Sequence, residues 1–444
     1  MKVAVVGGGL AGIAAALECA DAGGEVTLLE GRPRLGGATF SIRRDGIWMD
    51  NGQHVFLRCC TEYRRFLERI DATALTELQS RLSIPVVSPG GRVARIERAR
   101  LPAPAHLLPS LVRFPYLSRR DRIGIARAIR PLSKLDLADP ALDRRTFGSW
   151  LREHGQSPAA VDALWNLIVL PTVNLPATEA SLALSAKVFQ TGLLESADAG
   201  DIGYAAVPLQ QLHGDTGTVA LERAGVDVRT RTRVDRIESL PGGFAVSFDG
   251  DGVDADAVVL AVPHDDAAEL LPEGALAQAS ELGYLGASPI VNLHVVYDRP
   301  VTDLPFAAGH DTPVQWVFDR TRGTGLEQGQ YLAVSLSCAR EYIAQKVEEL
   351  RAQFVPALEQ LFPDAASASV ELFFVTREQR ATFRQGPGTA ALRPGPKTQI
   401  EGLYVAGAWT DTGWPATMES AVRSGVAAAR EAAGRQAPTL EVAA

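Results

Sequence analysis

The segment Lys2 to Glu30 constrains the fold of this 444-residue chain more than any other. An apolar run, Val3-Ala4-Val5-Val6, leads into Gly7-Gly8-Gly9-Leu10-Ala11-Gly12. A helical stretch, Ile13 to Ala22, follows, and a second apolar run, Val26-Thr27-Leu28-Leu29, is closed by Glu30. Strand, glycine turn, helix and strand make a βαβ unit, and Gly-x-Gly-x-x-Gly in that setting is a dinucleotide fingerprint. Gly7 permits the tight turn, Gly9 lets a pyrophosphate approach the backbone, and Gly12 lets helix and strand pack closely. Leu10 and Ala11 open the helix, where unpaired N–H groups and the positive dipole end attract phosphate. Glu30 is placed to accept from the hydroxyls of an ADP-ribose.

Around this unit the chain reads as an α/β protein in which a Rossmann-type domain is interrupted twice. Residues 1–58, 200–275 and 396–434 are expected to form the nucleotide domain. Residues 59–199 and 276–395 are expected to form a substrate domain, with 435–444 a loose tail. Helical periods dominate from Cys59 to about Leu194, with prolines, including Pro85, at the joints. Strand patterns return at Val226–Ile237, Phe244–Phe248 and Ala257–Val262. Further strands are expected at Ile290–Tyr297, Val314–Phe318, Tyr331–Ser337 and Ser369–Val375, and a helix at Ala339–Leu361, giving a mixed sheet beside the inserted helices. Leu403–Gly407 reads as a buried strand and Met418–Glu431 as a helix of small residues.

Composition narrows the partners. Forty-four basic against 52 acidic residues give a net charge of −8, the wrong sign for a nucleic-acid-binding protein. Cys19, Cys59, Cys60 and Cys338 have no metal-site spacing, which suits a reducing cytoplasm. The N-terminus lacks the pattern of a signal peptide. The longest uncharged apolar stretch, Ala163 to Thr178, is too short for a bilayer and contains Asn166, Pro171, Asn174 and Pro176. A cytoplasmic protein is therefore expected.

After Glu30 comes Gly31-Arg32-Pro33-Arg34-Leu35-Gly36-Gly37. Near the C-terminus stand Gly402-Leu403-Tyr404-Val405-Ala406-Gly407-Ala408-Trp409-Thr410-Asp411 and Gly413-Trp414-Pro415-Ala416-Thr417-Met418-Glu419. Both blocks resemble flavin signatures of the amine oxidase and carotenoid desaturase superfamily. The resemblance implies FAD, with Gly31, Arg32, Gly36, Gly37 and Ala38 beside the diphosphate and Val234 bracketing adenine through its backbone. It also implies Gly407 beneath the ribityl arm, Asp411 on a ribityl or phosphate group, and the Thr417 and Met418 N–H groups toward the pyrimidine edge. Superfamily members often carry Arg after the second glycine pair. This chain has Ala38 there, so Arg34 or Arg43 is the candidate phosphate-side cation, each also readable as a solvated charge. No cysteine lies between Gly402 and Gly425, where some members tether their flavin, so the FAD is expected to be non-covalent.

Asp50-Asn51-Gly52-Gln53-His54 stands where the superfamily brings a loop to the flavin ring, which makes Gly52 and Gln53 cofactor contacts. His54 is then either a proton donor, with Asp411 a weaker candidate, or a satisfied loop histidine, and Asp50 an anchor. Leu107 to Ser118, followed by Arg119, Arg120, Arg122, Arg127 and Arg130, suits an interfacial helix or a covering helix with a solvated basic face. Trp165, Leu167, Ile168, Val169, Leu170 and Leu175 either line a long apolar cavity or fill a core.

Taken together, these runs and the two flavin signatures resemble the hydroxysqualene dehydroxylase family over nearly the whole chain. That resemblance implies reductive conversion of hydroxysqualene to squalene in hopanoid biosynthesis, an isoprenoid lipid substrate and an unidentified electron donor, and the interfacial reading of Leu107 to Arg130 adds peripheral contact with the inner face of a membrane as an expectation. The alternatives are a carotenoid or polyprenyl desaturase of the phytoene desaturase kind, a flavin amine oxidase with Lys187 as the lysine to test, and a prenyl-lipid-binding flavoprotein without turnover.

Overall fold

A computed structural model of the chain describes residues 1–277 and 279–434; the stretch 435–444, expected as a tail, lies outside the described residues. Five strands, β1 (Lys2–Val6), β2 (Glu25–Glu30), β3 (Asp227–Thr230), β4 (Ala257–Leu260) and β5 (Leu403–Val405), form one parallel sheet in the order β3-β2-β1-β4-β5. The order reverses at β1, so the carboxyl ends of β1 and β4 flank a crevice, the place where open α/β sheets bind their ligands. Alternate residues serve opposite faces. Val3, Val5, Leu28 and Val259 pack on the helical side, whereas Ala4, Val6, Val258 and Leu260 pack against Phe244, Val246 and Phe248 of a three-stranded antiparallel meander.

Helix α1 (Leu10–Asp21) is alanine-rich and buries nine of its twelve residues, which is why it can sit in the middle of the domain. The C-terminal helix, Met418–Ala432, lies directly on it. The two backbones approach so closely that a Cβ at Gly425 would strike the Ala11 carbonyl oxygen.

A seven-stranded mixed sheet forms the second domain, in the order Val370–Thr382, Ser288–Tyr297, Gln330–Leu336, Trp316–Asp319, Phe306–Gly309, Ser83–Ser88 and Arg92–Glu97. The helix Val347–Leu361 covers one face, and a helical layer containing Phe147, Trp150, Trp165 and Phe189 packs on another part of the sheet. Three expectations are corrected here. The stretch from Cys59 to Leu194 opens on the helix Thr61–Arg69, but strands rather than helices occupy Thr76 to Glu97. Ser83–Ser88 and Arg92–Glu97 pair antiparallel around Pro89-Gly90-Gly91, and Pro85 sits within a strand rather than at a helix joint. The helix expected from Ala339 begins only at Val347, where the Glu349 carboxylate accepts from the Lys346 N–H and closes the helix start. The strand expected to end at Val375 continues to Thr382 through the polar run Thr376-Arg377-Glu378, which crosses toward the nucleotide domain.

Candidate active site

The first turn of α1 is built to meet an anion. Gly7 has φ of +106°, and a Cβ there would come within 2.5 Å of the Ala261 carbonyl oxygen at the end of β4. The residue before the helix, Gly9, supplies no side-chain cap, and the first turn holds no acid, so its N–H groups are left to a ligand. The second glycine pair folds back over it. Gly36 N–H donates to the Gly8 carbonyl at 2.9 Å, and a Cβ at Gly37, whose φ is +58°, would come within 2.7 Å of the Gly9 Cα. The Glu30 carboxylate, at the end of β2, accepts from the N–H groups of Gly8 and Arg32 at 2.7 Å each, so it positions the loop that carries Gly31 and Arg32.

The two candidate cations, Arg34 and Arg43, differ in their surroundings. Its guanidinium stacks 3.6 Å over Phe40, and its Nη1 is buried without a hydrogen-bond partner. Burial works against the Arg34 charge, Arg32 adds to that, and Glu30 and Glu378 offset it in part. Arg43 lies exposed on the strand Ser41–Arg44, beside Trp48. A half-buried guanidinium with an unsatisfied Nη1, on the loop that follows Glu30, has the chemistry to meet the diphosphate of FAD.

The loop Asp50–His54 is tied stepwise to that turn. Asn51 Nδ2 donates to the Ala38 carbonyl at 2.9 Å and to Glu378 at 3.1 Å, and its own carbonyl accepts from Asn292 Nδ2 at 3.0 Å and Thr376 Oγ1 at 2.9 Å. Asp50 is buried. It accepts from Ser41 Oγ and the Leu209 N–H through one oxygen and pairs with Arg320 at 2.9 Å through the other, which makes it an anchor. The partners Asn292, Arg320, Thr376 and Glu378 come from the second domain and were missed by sequence reasoning. Asn292 alone carried a signal, as one amide in an otherwise apolar strand, Pro289-Ile290-Val291-Asn292-Leu293.

His54, Gln53, Asp50, Val55, Tyr204 and Arg320 are among the residues lining a small cavity of about 10 Å³, room for one water-sized group, with Ala205, Leu209 and Phe318 completing it. His54 Nδ1 lies 3.2 Å from the Gly52 carbonyl. A carbonyl only accepts, so Nδ1 carries the hydrogen. Burial lowers the pKa of His54, against smaller opposing effects of Gly52 and Asp50. The ring is therefore neutral at pH 7 with Nε2 bare, placed to accept a hydrogen bond rather than to donate a proton. Gln53 Nε2 and Arg320 Nε are both buried without partners.

The C-terminal signature is held in part by Arg393 and Gln385, which the sequence did not single out. Buried Arg393 donates to the carbonyls of Thr410 at 2.6 Å and Trp414 at 2.9 Å, and Gln385 accepts from the Ala416 N–H at 2.7 Å. Ser424 Oγ accepts from the Gly407 N–H at 2.8 Å, and Thr417 caps the C-terminal helix, whose first residue is Met418. Asp411 is exposed and accepts from the Gly413 N–H, a turn within its own loop. Val234 is buried among Ala4, Val6 and Leu29 below the sheet. Lys187 lies 5.1 Å from the centre of the Trp414 ring, as does the Arg423 guanidinium, and does not line the pocket. Trp165, Leu167, Val169 and Leu175 are core residues, and Trp165 packs on Phe147 and Phe189, so they fill space rather than line a cavity.

Residues 10–433 match the family of flavin-containing amine oxidoreductases. The chain belongs to that family. Among relatives of this flavin-containing oxidoreductase, zeta-carotene desaturase of Synechocystis sp. is 26% identical over 487 residues, covering 98% of each chain. Hydroxysqualene dehydroxylase of Rhodopseudomonas palustris is 30% identical over 442 residues, 96% of this chain and 97% of the relative. The fold superposes on putrescine oxidase bound to putrescine with a TM-score of 0.75 at 20% identity, covering 98% of this chain and 100% of that one. Cyclohexylamine oxidase from Brevibacterium oxydans gives 0.72 at 19% identity, covering 98% of both. The protein is thus an FAD-dependent oxidoreductase of the carotenoid and squalene desaturase group. Among the described residues, no helix is long and apolar enough to cross a membrane.

Proposed function

We propose that this oxidoreductase removes the hydroxyl group of hydroxysqualene reductively and releases squalene. One observation carries the choice. Two buried N–H donors, Gln53 Nε2 and Arg320 Nε, belong to one pocket and have no acceptor among the described residues. Each unsatisfied buried donor costs about 1–3 kcal/mol, which a hydrocarbon polyene leaves standing and an alcohol oxygen relieves. The 30% identity to a hydroxysqualene dehydroxylase over nearly the whole length supports the same reading.

Reduced FAD, when bound, supplies the hydride that replaces the hydroxyl. The remaining work falls to the chain. Gln53 and Arg320 donate to the oxygen as its bond to carbon lengthens and negative charge gathers on it. Tyr204 and Phe318 line the same pocket, where aromatic faces favour positive charge developing on the prenyl carbon. Neutral His54 accepts the hydrogen of the substrate hydroxyl and fixes its direction. A proton drawn from solvent completes water, so one carbon–oxygen bond is exchanged for one carbon–hydrogen bond.

The test is anaerobic. Photoreduced enzyme mixed with hydroxysqualene should regain oxidised-flavin absorbance and yield squalene. If instead oxidised enzyme is bleached by phytoene while the alcohol leaves reduced enzyme unchanged, the proposal is wrong and desaturation takes its place.

A further inference from the structure

The charge of this acidic protein is unevenly placed. Between Arg92 and Lys134 the sequence holds ten arginines and one lysine against two acids, Glu97 and Asp121, within a chain of net charge −8. Both acids are engaged locally, Glu97 by Ser83 and Asp121 by Ser118 and Ser157. Arg92, Arg100, Arg113, Arg119, Arg120 and Arg127 are exposed, and none forms an ion pair among the described residues. Unpaired guanidinium groups at this density repel one another, and an anionic surface removes that cost.

The same stretch concentrates exposed apolar side chains. Five of the ten large hydrophobic residues exposed among the described residues are Val93, Leu101, Leu108, Val112 and Ile123, with Val112 62% exposed. Hydrogen bonds gather the segment into one region. Ser110 Oγ accepts from the Glu97 N–H and donates to the Arg95 carbonyl, Tyr116 donates to the Arg92 carbonyl, and Arg122 donates to the Phe114 carbonyl. In the helix Arg119–Leu132, Ile125, Ala128 and Leu132 are buried, while Arg119, Arg120, Ile123 and Arg127 face solvent. A solvated basic face explains the arginines but not Val112 and Ile123 among them. A polyanion such as RNA would use the charge and leave the apolar groups unused. A bilayer with anionic headgroups uses both.

We infer that the surface formed by residues 92–130 docks the protein on anionic phospholipid, with Leu108, Val112 and Ile123 entering the headgroup region and the arginines pairing with phosphates. The docking is reversible and electrostatic. It is read without substrate, so its failure leaves the dehydroxylation proposal intact, and the converse also holds.

Holoprotein is sedimented with vesicles of mixed phosphatidylglycerol and phosphatidylcholine, and with phosphatidylcholine alone. It should pellet with the mixed vesicles, leave them as salt is raised, and stay in solution with the neutral ones. Each basic residue contributes about a fivefold gain in partitioning, so Arg119→Glu with Arg120→Glu should weaken binding at least about tenfold. Val112→Asp should weaken it with all the arginines in place. Flavin absorbance and melting temperature verify that the variants are folded, and Arg113→Glu replaces any that are not. Equal binding to both vesicle types, no binding to either, retention by heparin without vesicle binding, or folded variants that bind like the wild type would each overturn the inference.

Discussion

Gln53 lines the pocket with a buried, unpartnered Nε2, held in place because Asn51 and Asp50 are pinned on both sides of the domain boundary. Replacing it by Leu keeps the volume and deletes the donor. Gln53→Leu should lower kcat/KM for the alcohol about tenfold to a hundredfold, equivalent to one lost hydrogen bond to a partly charged oxygen. Flavin content should stay at the wild-type level, and its loss would reassign Gln53 to the cofactor. At this scale the sequence was only partly informative. Gln53 and His54 could be named from their loop, but the state of His54 depends on which atom faces Nδ1 and on how deeply the ring is buried, and neither is a property of neighbouring residues in the chain. Arg320 was invisible for the same reason: it follows an ordinary strand, and it matters only because Asp50 lies opposite.

The two flavin signatures meet through their helices. α1 and the Met418–Ala432 helix touch backbone to backbone at Ala11 and Gly425, with no room for a side chain. Gly425→Ala must push the helices apart or tilt them, at a cost of about 1–3 kcal/mol. The displaced N-termini should weaken FAD binding, read as a lower flavin-to-protein ratio after gel filtration and a reduced melting temperature restored in part by added FAD. A variant that melts and retains flavin like the wild type would show that the contact is slack. The elements of the nucleotide domain were legible because each is announced locally, by an apolar run, a glycine turn or a small-residue helix. The strand Ser83–Ser88 was not, since its short apolar run Ile84-Pro85-Val86-Val87 has no period of its own, and its place beside Phe306–Gly309 is set by a strand more than 200 residues away.

Across the molecule, two fully buried histidines contribute strongly to the response to acid. His213 bonds Tyr63 at 2.8 Å and His294 bonds Tyr331 at 2.6 Å, and burial lowers both to about 3. The unfolded chain takes up these protons below about pH 6.5 and the native protein does not, so the stability is complete above that pH and lost as pH falls toward 3. By pH 5 the loss should be about 2 kcal/mol for each histidine, seen as a lower urea midpoint than at pH 7. His213→Phe should flatten this acid limb; an unchanged slope would assign it to other groups. The sequence by itself determined the dinucleotide fold, the flavin and the superfamily, because those depend on backbone geometry that a few glycines and an acid within a short span impose. Only the tertiary structure decided that Arg34 is half-buried while Arg43 lies exposed, that His54 is neutral, and that Arg320 reaches the pocket. Those depend on burial and on partners from distant segments, and both come into being when the two domains close on each other.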